Sequence, residues 1–375
     1  MPVRAATFAL LGTLVYLGGC EALRVSRPLG SPDGDPVALS LPLEATWRYN
    51  MEAASGPTAP LVVGQHLLLA TRNGTLHVLE RGERAPRRLG RMSYGDALET
   101  APLLQGGRIA YIPVAAGKHG VVAYDLVAGR ARWTLRRSPH AAGLLIAEGT
   151  LVSAALDGTV RGLDPATGAE RWRLRPDSAA GYRATPVEAG GRVVVADDQG
   201  RVTALDPATG AVTWTRRLET PVLTTPAVAH ELVVVPTSRG RLFALDVRDG
   251  RVAWTFDAED PEVRFASPAV AASQVYVGGT DGMLRALEAR TGRAVWVFET
   301  DGAFTTAPLV TGGLLFAGSL DKRLVALDAT TGELRWETQL RGRPRATPVL
   351  WGGQLVVLAE PHEAYAFRPT ARPTQ

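Results

Sequence analysis

Ala204-Leu205-Asp206-Pro207-Ala208-Thr209-Gly210, followed by Trp214, is the stretch whose reading decides the fold. Asp and Thr side chains can bond nearby backbone amides, and Gly can take a positive φ, so its middle reads as a tight turn between two strands. The same pattern recurs at Leu163-Asp164-Pro165-Ala166-Thr167-Gly168 with Trp172, and at Ala326-Leu327-Asp328-Ala329-Thr330-Thr331-Gly332 with Trp336. Weaker copies are Asp125/Gly129/Trp133, Asp246/Gly250/Trp254 and Glu288/Gly292/Trp296. In every copy the acidic residue precedes the Trp by 8 positions. A pattern with a period near forty residues marks a repeat architecture.

Upstream of each turn the spacing is equally fixed. Pro186, Pro226, Pro268 and Pro308 each stand 20 positions before the next acidic residue. A Val- or Leu-rich run and a short turn such as Gln199-Gly200 or Asp281-Gly282 fill the interval. Each unit therefore reads as four short strands: a after the Pro, b in the apolar run, c before the acidic turn, and d carrying the Trp. A first unit begins near Pro60, uses the hairpin signal Asn73-Gly74, and has Leu89 where its Trp would fall. A last unit begins at Thr347-Pro348 and stops at Phe367 without strand d. The missing strand stands alone at the other end, in Ala45-Thr46-Trp47-Arg48-Tyr49. From Trp133 the tryptophans advance by 39, 42, 40, 42 and 40, and Trp47 to Trp133 is 86, two such steps. We expect an all-β protein over residues 43–367: an eight-bladed β-propeller of four-stranded antiparallel blades, closed by the strand around Trp47 completing the C-terminal blade. Closure removes the sheet edges that an open solenoid would expose and have to cap.

Length alone, at 375 residues, would suggest two or three domains, but a closed ring is one domain whatever its length. The net charge of +4 is modest and no run of basic residues exceeds two, so no nucleic-acid partner is expected. Nearly all the positive charge is arginine, since lysine occurs only at Lys118 and Lys322.

The single cysteine, Cys20, excludes an intramolecular disulfide and any cysteine-based metal site. Arg4, an apolar run from Ala5 to Leu17, and then Gly18-Gly19-Cys20 read as a secretory signal, too short to span a membrane comfortably. Residues 1–19 are thus a signal peptide. Leu17-Gly18-Gly19-Cys20 resembles the bacterial lipobox, which implies that Cys20 is lipidated and becomes the first mature residue. Glu21 follows, where the usual inner-membrane retention signal is Asp, and this favours the outer membrane. Residues 20–42 carry Pro28, Pro32, Pro36 and Pro42 with no periodic apolar face, and read as a flexible tether. Residues 368–375 are a tail.

Strand direction sorts the connections onto two faces. The a–b and c–d turns share one face; the b–c turns and d–a links share the other. Trp-to-Pro spacing over the d–a links varies as 14, 12, 14 and 12 from Trp172 to Pro308, and the inserted b–c turn 115–120 lies on the same face. Variable loops on a rigid scaffold are where contacts are placed. Two d–a loops offer an aromatic beside an arginine, a pairing favoured at protein interfaces. One holds Arg175, Asp177, Tyr182 and Arg183; the other holds Glu262, Arg264 and Phe265. These are the candidate partner-binding residues. The six histidines show no metal-ligand spacing, and no phosphate loop or nucleophile elbow occurs, so no catalytic, metal or cofactor residue is nominated.

The repeat resembles the tryptophan-docking repeat of the pyrroloquinoline quinone (PQQ) propeller superfamily. That resemblance implies that Trp47, Trp133, Trp172, Trp214, Trp254, Trp296 and Trp336 pack against the neighbouring blade near its Gly turn, as structural rather than ligand-binding residues. Quinoprotein alcohol dehydrogenases share the repeat, but in longer chains with a vicinal disulfide over the cofactor, which one cysteine cannot form. With its lipobox and compact units, the chain resembles the BamB family of outer-membrane assembly lipoproteins. The resemblance implies a non-catalytic scaffold without cofactor, anchored in the outer membrane and facing the periplasm, monomeric within a complex, with the periplasmic domains of BamA as protein partner. Tyr182-Arg183 matches the apolar-Arg pair of that family. The acidic pair that the family places before Thr-Thr-Pro is missing from Pro221-Val222-Leu223-Thr224-Thr225-Pro226. A scaffold or sensor with another protein partner, and a quinone-dependent enzyme, stay open as alternatives.

Overall fold

Runs such as Val193-Val194-Val195 and Val233-Val234-Val235 are fully buried, as a strand must be when sheets cover it on both sides. The Trp-bearing strands are different: in Val212–Arg217 only Trp214 is buried, because this strand forms the outer rim of its sheet. These patterns repeat around a ring in the computed structural model, which describes residues 24–25, 28–29, 39–56, 58–94, 96–175 and 180–370. Among the described residues, thirty-two strands form eight four-stranded antiparallel sheets. Blade 4, for example, consists of Val187–Ala189, Arg192–Ala196, Arg201–Leu205 and Val212–Arg217. Blades 1 to 7 each use four consecutive strands. Blade 8 takes Val349–Trp351, Gln354–Ala359 and Glu363–Pro369 from the C-terminus and Leu43–Asn50 from the N-terminus. The last two pair from Leu43↔Pro369 to Asn50↔Glu363, which closes the ring as the split repeat requires.

The core is a series of interfaces between adjacent blades. Val194 and Val202 of blade 4, for instance, cluster with Val233 and Val235 of blade 5. Each acidic turn is built as its residue types predict. Asp206 Oδ1 accepts hydrogen bonds from the amides of Ala208 and Thr209 and from Thr209 Oγ1, at 3.0, 2.8 and 2.8 Å. Gly210 closes the turn at φ +72°, where a side chain would be strained.

The neighbouring blade docks on that turn. The Trp172 indole N–H donates to the Pro207 carbonyl at 2.9 Å, and its ring lies where a Cβ on Gly210 would stand. The same two contacts join Trp133 to Pro165 and Gly168, Trp214 to Val247 and Gly250, Trp254 to Ala289 and Gly292, and Trp296 to Ala329 and Gly332. The accepting carbonyl always belongs to the residue after the acidic one. Burying such a ring contributes about 2–3 kcal/mol at each junction.

Trp336 and Trp47 pack differently. Trp336 meets Phe367 edge-on at 5.8 Å, because blade 8 has no c–d turn to receive it. Trp47 donates to Gln354 Oε1 at 2.8 Å and meets Trp351 edge-on at 6.0 Å. Its expected turn, around Gly82, lacks the Asp-x-x-Thr-Gly chemistry.

Parts of the expected tether lie on the ring. Leu39 is buried with Phe316, Leu324 and Leu350 between blades 7 and 8. Val25 and Leu29 are 5% and 6% exposed and belong to the core shared by blades 1 and 2. The signal segment, Cys20, and residues 371–375 of the tail lie outside the described residues.

Candidate functional site

Hydrogen bonds between connections establish the two faces. Asp198, in a b–c turn, accepts from the amide of Gly181 in the preceding d–a loop at 2.9 Å, and the Asp198 amide donates to the Gly181 carbonyl at 2.9 Å. Thr280 holds Arg264 in the same two-way fashion, through its Oγ1 and its amide. The d–a loops are therefore pinned to the b–c turns of the next blade, which gives that face a rigid surface.

The aromatic residues predicted for partner contact are the anchors of this pinning. Tyr182 is 1% exposed, inside the core between blades 3 and 4. Burial pushes its phenol well above the usual tyrosine range, and the nearby Asp197 adds to that shift. Phe265 is 2% exposed and packs beside Phe256, with the Arg285 guanidinium over both rings. Arg285 is itself buried and paired with Asp281. An aromatic next to an arginine does not reveal from sequence which of the two faces solvent. Here the aromatics are inside, and the charged neighbours project.

Arg175, Arg183, Glu262 and Arg264 are exposed. No side-chain hydrogen bond or ion pair is made by these four among the described residues. Arg171 and Arg335 on the other face, by contrast, are paired, with Asp164 at 2.7 Å and with Asp328 at 3.1 Å. Asp177 lies outside the described residues. Arg183 also stands at the mouth of the central channel, a cavity of about 300 Å³ ringed by Thr58, Thr185, Thr225, Ser267 and Thr347. Sequence reading used the prolines as strand markers and missed that the residues before them line one opening. The place of Thr185, Thr225, Ser267 and Thr347 directly before a Pro was the available signal. Several of the hydroxyl oxygens accept an amide from the neighbouring blade: Thr185 from Gly143, Thr225 from Thr185 and Ser267 from Thr225, at 2.9 to 3.1 Å. No group of three or more His, Cys, Asp or Glu side chains comes together as a metal site among the described residues.

Fold and face together define a tryptophan-docked propeller that presents rigid, charge-tipped loops at one end. The profile of the family described as "Outer membrane protein assembly factor BamB" matches residues 44–175, 156–309 and 280–371, so the chain belongs to that family. No curated protein sequence matches it. Among solved structures, BamB from Moraxella catarrhalis is similar at 21% identity and TM-score 0.69, with 89% of this chain and 100% of that one covered. Quinohemoprotein alcohol dehydrogenase from Comamonas testosteroni superposes at 14% identity and TM-score 0.72, covering 89% and 78%. Saccharomyces cerevisiae Sqt1 superposes at 12% identity and TM-score 0.72, covering 87% and 98%. At these identities the superpositions establish the propeller, and family membership rests on the sequence profile.

Proposed function

We propose that this protein is a non-catalytic lipoprotein scaffold of the outer membrane. In this reading it assists β-barrel assembly by docking its d–a loop face on the periplasmic domains of BamA. The observation that carries the reading is the set of unpaired charges on that face, in a chain of the BamB family. Arg183 and Arg264 stand beside buried aromatics on pinned loops, and with Arg175 and Glu262 they make no side-chain hydrogen bond or ion pair among the described residues. Charged groups in such positions steer association and select partners more than they stabilise the fold. The family's acidic pair is replaced here by apolar and hydroxyl residues at 221–225, so basic loops carry most of the recognition in this chain.

The test is co-purification from detergent-solubilised outer membranes. Tagged wild-type protein is expected to bring down BamA, and Arg183→Glu is expected to lose it with an unchanged melting temperature. A wild-type pull-down without BamA would sink the assembly role. The dehydrogenase neighbour prompts one further check. Added PQQ and calcium should leave no bound chromophore and no dye reduction.

A further inference from the structure

Blade 1 has no Trp to dock on the c–d turn of blade 2. The N-terminal segment supplies the same contacts by other means. The Arg24 stem lies over Gly129, 3.3 to 3.5 Å from where a Cβ would stand, as an indole does at the regular junctions. The Val25 amide donates to Leu126 O at 2.8 Å. Leu126 follows the acidic Asp125, so its carbonyl is the one that receives an indole N–H elsewhere. Arg24 Nε adds a bond to Val127 O at 3.1 Å, and the Leu29 amide donates to Gly107 O, in the a–b turn, at 2.7 Å. The segment is a clasp on the face opposite the d–a loops.

Cys20 is four residues before Arg24, a span of at most about 14 Å of extended chain. The clasped end of the ring also carries excess positive charge. Arg81, Arg84, Arg108, Arg130 and Arg132 are on or beside its turns, and Arg24 lies over Gly129 at the same end. Among the described residues, Glu83 and the buried Asp125 stand against them, since Glu80 is taken up by Arg87. The acidic turns of the other blades have no such excess; Asp164 and Asp328, for example, are each paired with one arginine.

We propose that Arg24, Val25 and Leu29 clasp the blade 1–blade 2 junction in place of the missing Trp and so seat the basic end of these blades on the anionic headgroups of the membrane that holds the anchor. This rests on the lipoprotein reading of Cys20. A lipid chain and an adjacent basic patch reinforce each other at an anionic surface. The d–a loop face is thereby turned away from the bilayer, toward a soluble partner domain.

The test uses the full-length lipidated protein in vesicles of phosphatidylethanolamine and phosphatidylglycerol containing headgroup-spin-labelled lipid. A fluorophore is placed by Ala128→Cys on the clasped face or by Lys118→Cys on the other, with Cys20 blocked by its own acylation. The Ala128 site is expected to be quenched several-fold more than the Lys118 site. Replacing phosphatidylglycerol with phosphatidylcholine should shrink that gap, and Val25→Asp with Leu29→Asp should abolish it while the protein stays vesicle-bound. Equal quenching at the two sites in the otherwise unaltered protein overturns the proposal and leaves the anchor standing. Protein that does not partition into vesicles at all overturns the anchor as well.

Discussion

Five blade junctions, from blade 2 through blade 7, are fastened one way, and the three where the chain ends meet are fastened three other ways. At the regular ones a Trp donates to the carbonyl after an acidic residue and covers a positive-φ glycine. Blades 7 and 8 join through Trp336 on Phe367 with Leu39 between them. Blades 8 and 1 join where Trp47 and Trp351 of blade 8 cluster with Leu67, Leu69 and Leu79 of blade 1, and blades 1 and 2 through Arg24, Val25 and Leu29. A repeat fastens strongly only where both halves of its motif are present. Where the ring is closed by a strand from the other end of the chain, the acidic turn of one blade is lost, and neighbouring segments have to fill the gap.

The largest effect should come from removing a regular fastening. Trp214→Ala deletes a ring 8% exposed together with its bond to Val247 O at 2.8 Å. A cost of about 3–5 kcal/mol is expected for truncating a buried Trp, read as a lower denaturant midpoint. Trp47→Ala should cost less, because Trp351 and Met51 of the same cluster can close over part of the gap. Equal losses would mean that the two kinds of junction are energetically alike.

Glycines separate the clash from the backbone strain. Gly210, at φ +72°, has the Trp172 ring 2.5 Å from a would-be Cβ; Gly353, at φ +74°, has nothing within 4 Å. Gly353→Ala should therefore cost only the left-handed penalty, about 1–2 kcal/mol. Gly210→Ala should add about 1–3 kcal/mol for displacing a packed ring. Thermal unfolding of the two variants measures the difference, which is the worth of indole-on-glycine packing.

A pH effect of smaller size belongs to the regular part of the ring. His140 is buried, bonds through Nδ1 to the Ser138 carbonyl, and faces Arg161 and Asp157. Burial lowers its pKa to about 4, with Arg161 adding to the shift. The unfolded chain, with an ordinary value near 6.5, takes up a proton that the folded one refuses. Stability is thus full above about pH 6.5 and is lost as pH falls toward 4, by about 2 kcal/mol at pH 5. Denaturant midpoints at pH 8 and pH 5 should converge in His140→Gln, and an unchanged pH slope in that variant would place the effect elsewhere.

The ring was legible because its information is periodic. Eight fixed positions from Asp to Trp and 20 from Pro to Asp report one geometry many times over. The blade 1–blade 2 clasp was not legible, because Arg24, Val25 and Leu29 occur once, in a Pro-rich stretch with no repeat to compare. The loss of Trp from blade 1 was the only hint that something else must fill its place. The loop face was half legible. Spacing located the d–a loops, but the direction of Tyr182 and Phe265 depends on core volume between blades, which no local pattern encodes. Arg183 and Arg264 are exposed on those loops, while the aromatic that drew attention to each is inside.

The clasp should show the smallest global effect and the clearest local one. Val25 and Leu29 pack as tightly as many core residues, but their segment carries no strand of any blade. A local opening that detaches the segment therefore leaves all eight sheets intact, and the cost of Leu29→Ala cannot exceed the free energy of that detachment. Segments tied by a few hydrogen bonds open far more easily than the global fold. The shift in global midpoint should stay within about 1 kcal/mol, well short of the usual Leu→Ala cost in a closed core. Amide exchange should register the change directly. The Val25 and Leu29 amides, bonded to Leu126 O and Gly107 O, should exchange faster in Leu29→Ala, and amides of Val193-Val194-Val195 should not change. Accelerated exchange in blade 4 as well would mean that the clasp is coupled to the whole ring, and the distinction between regular and improvised junctions would fall.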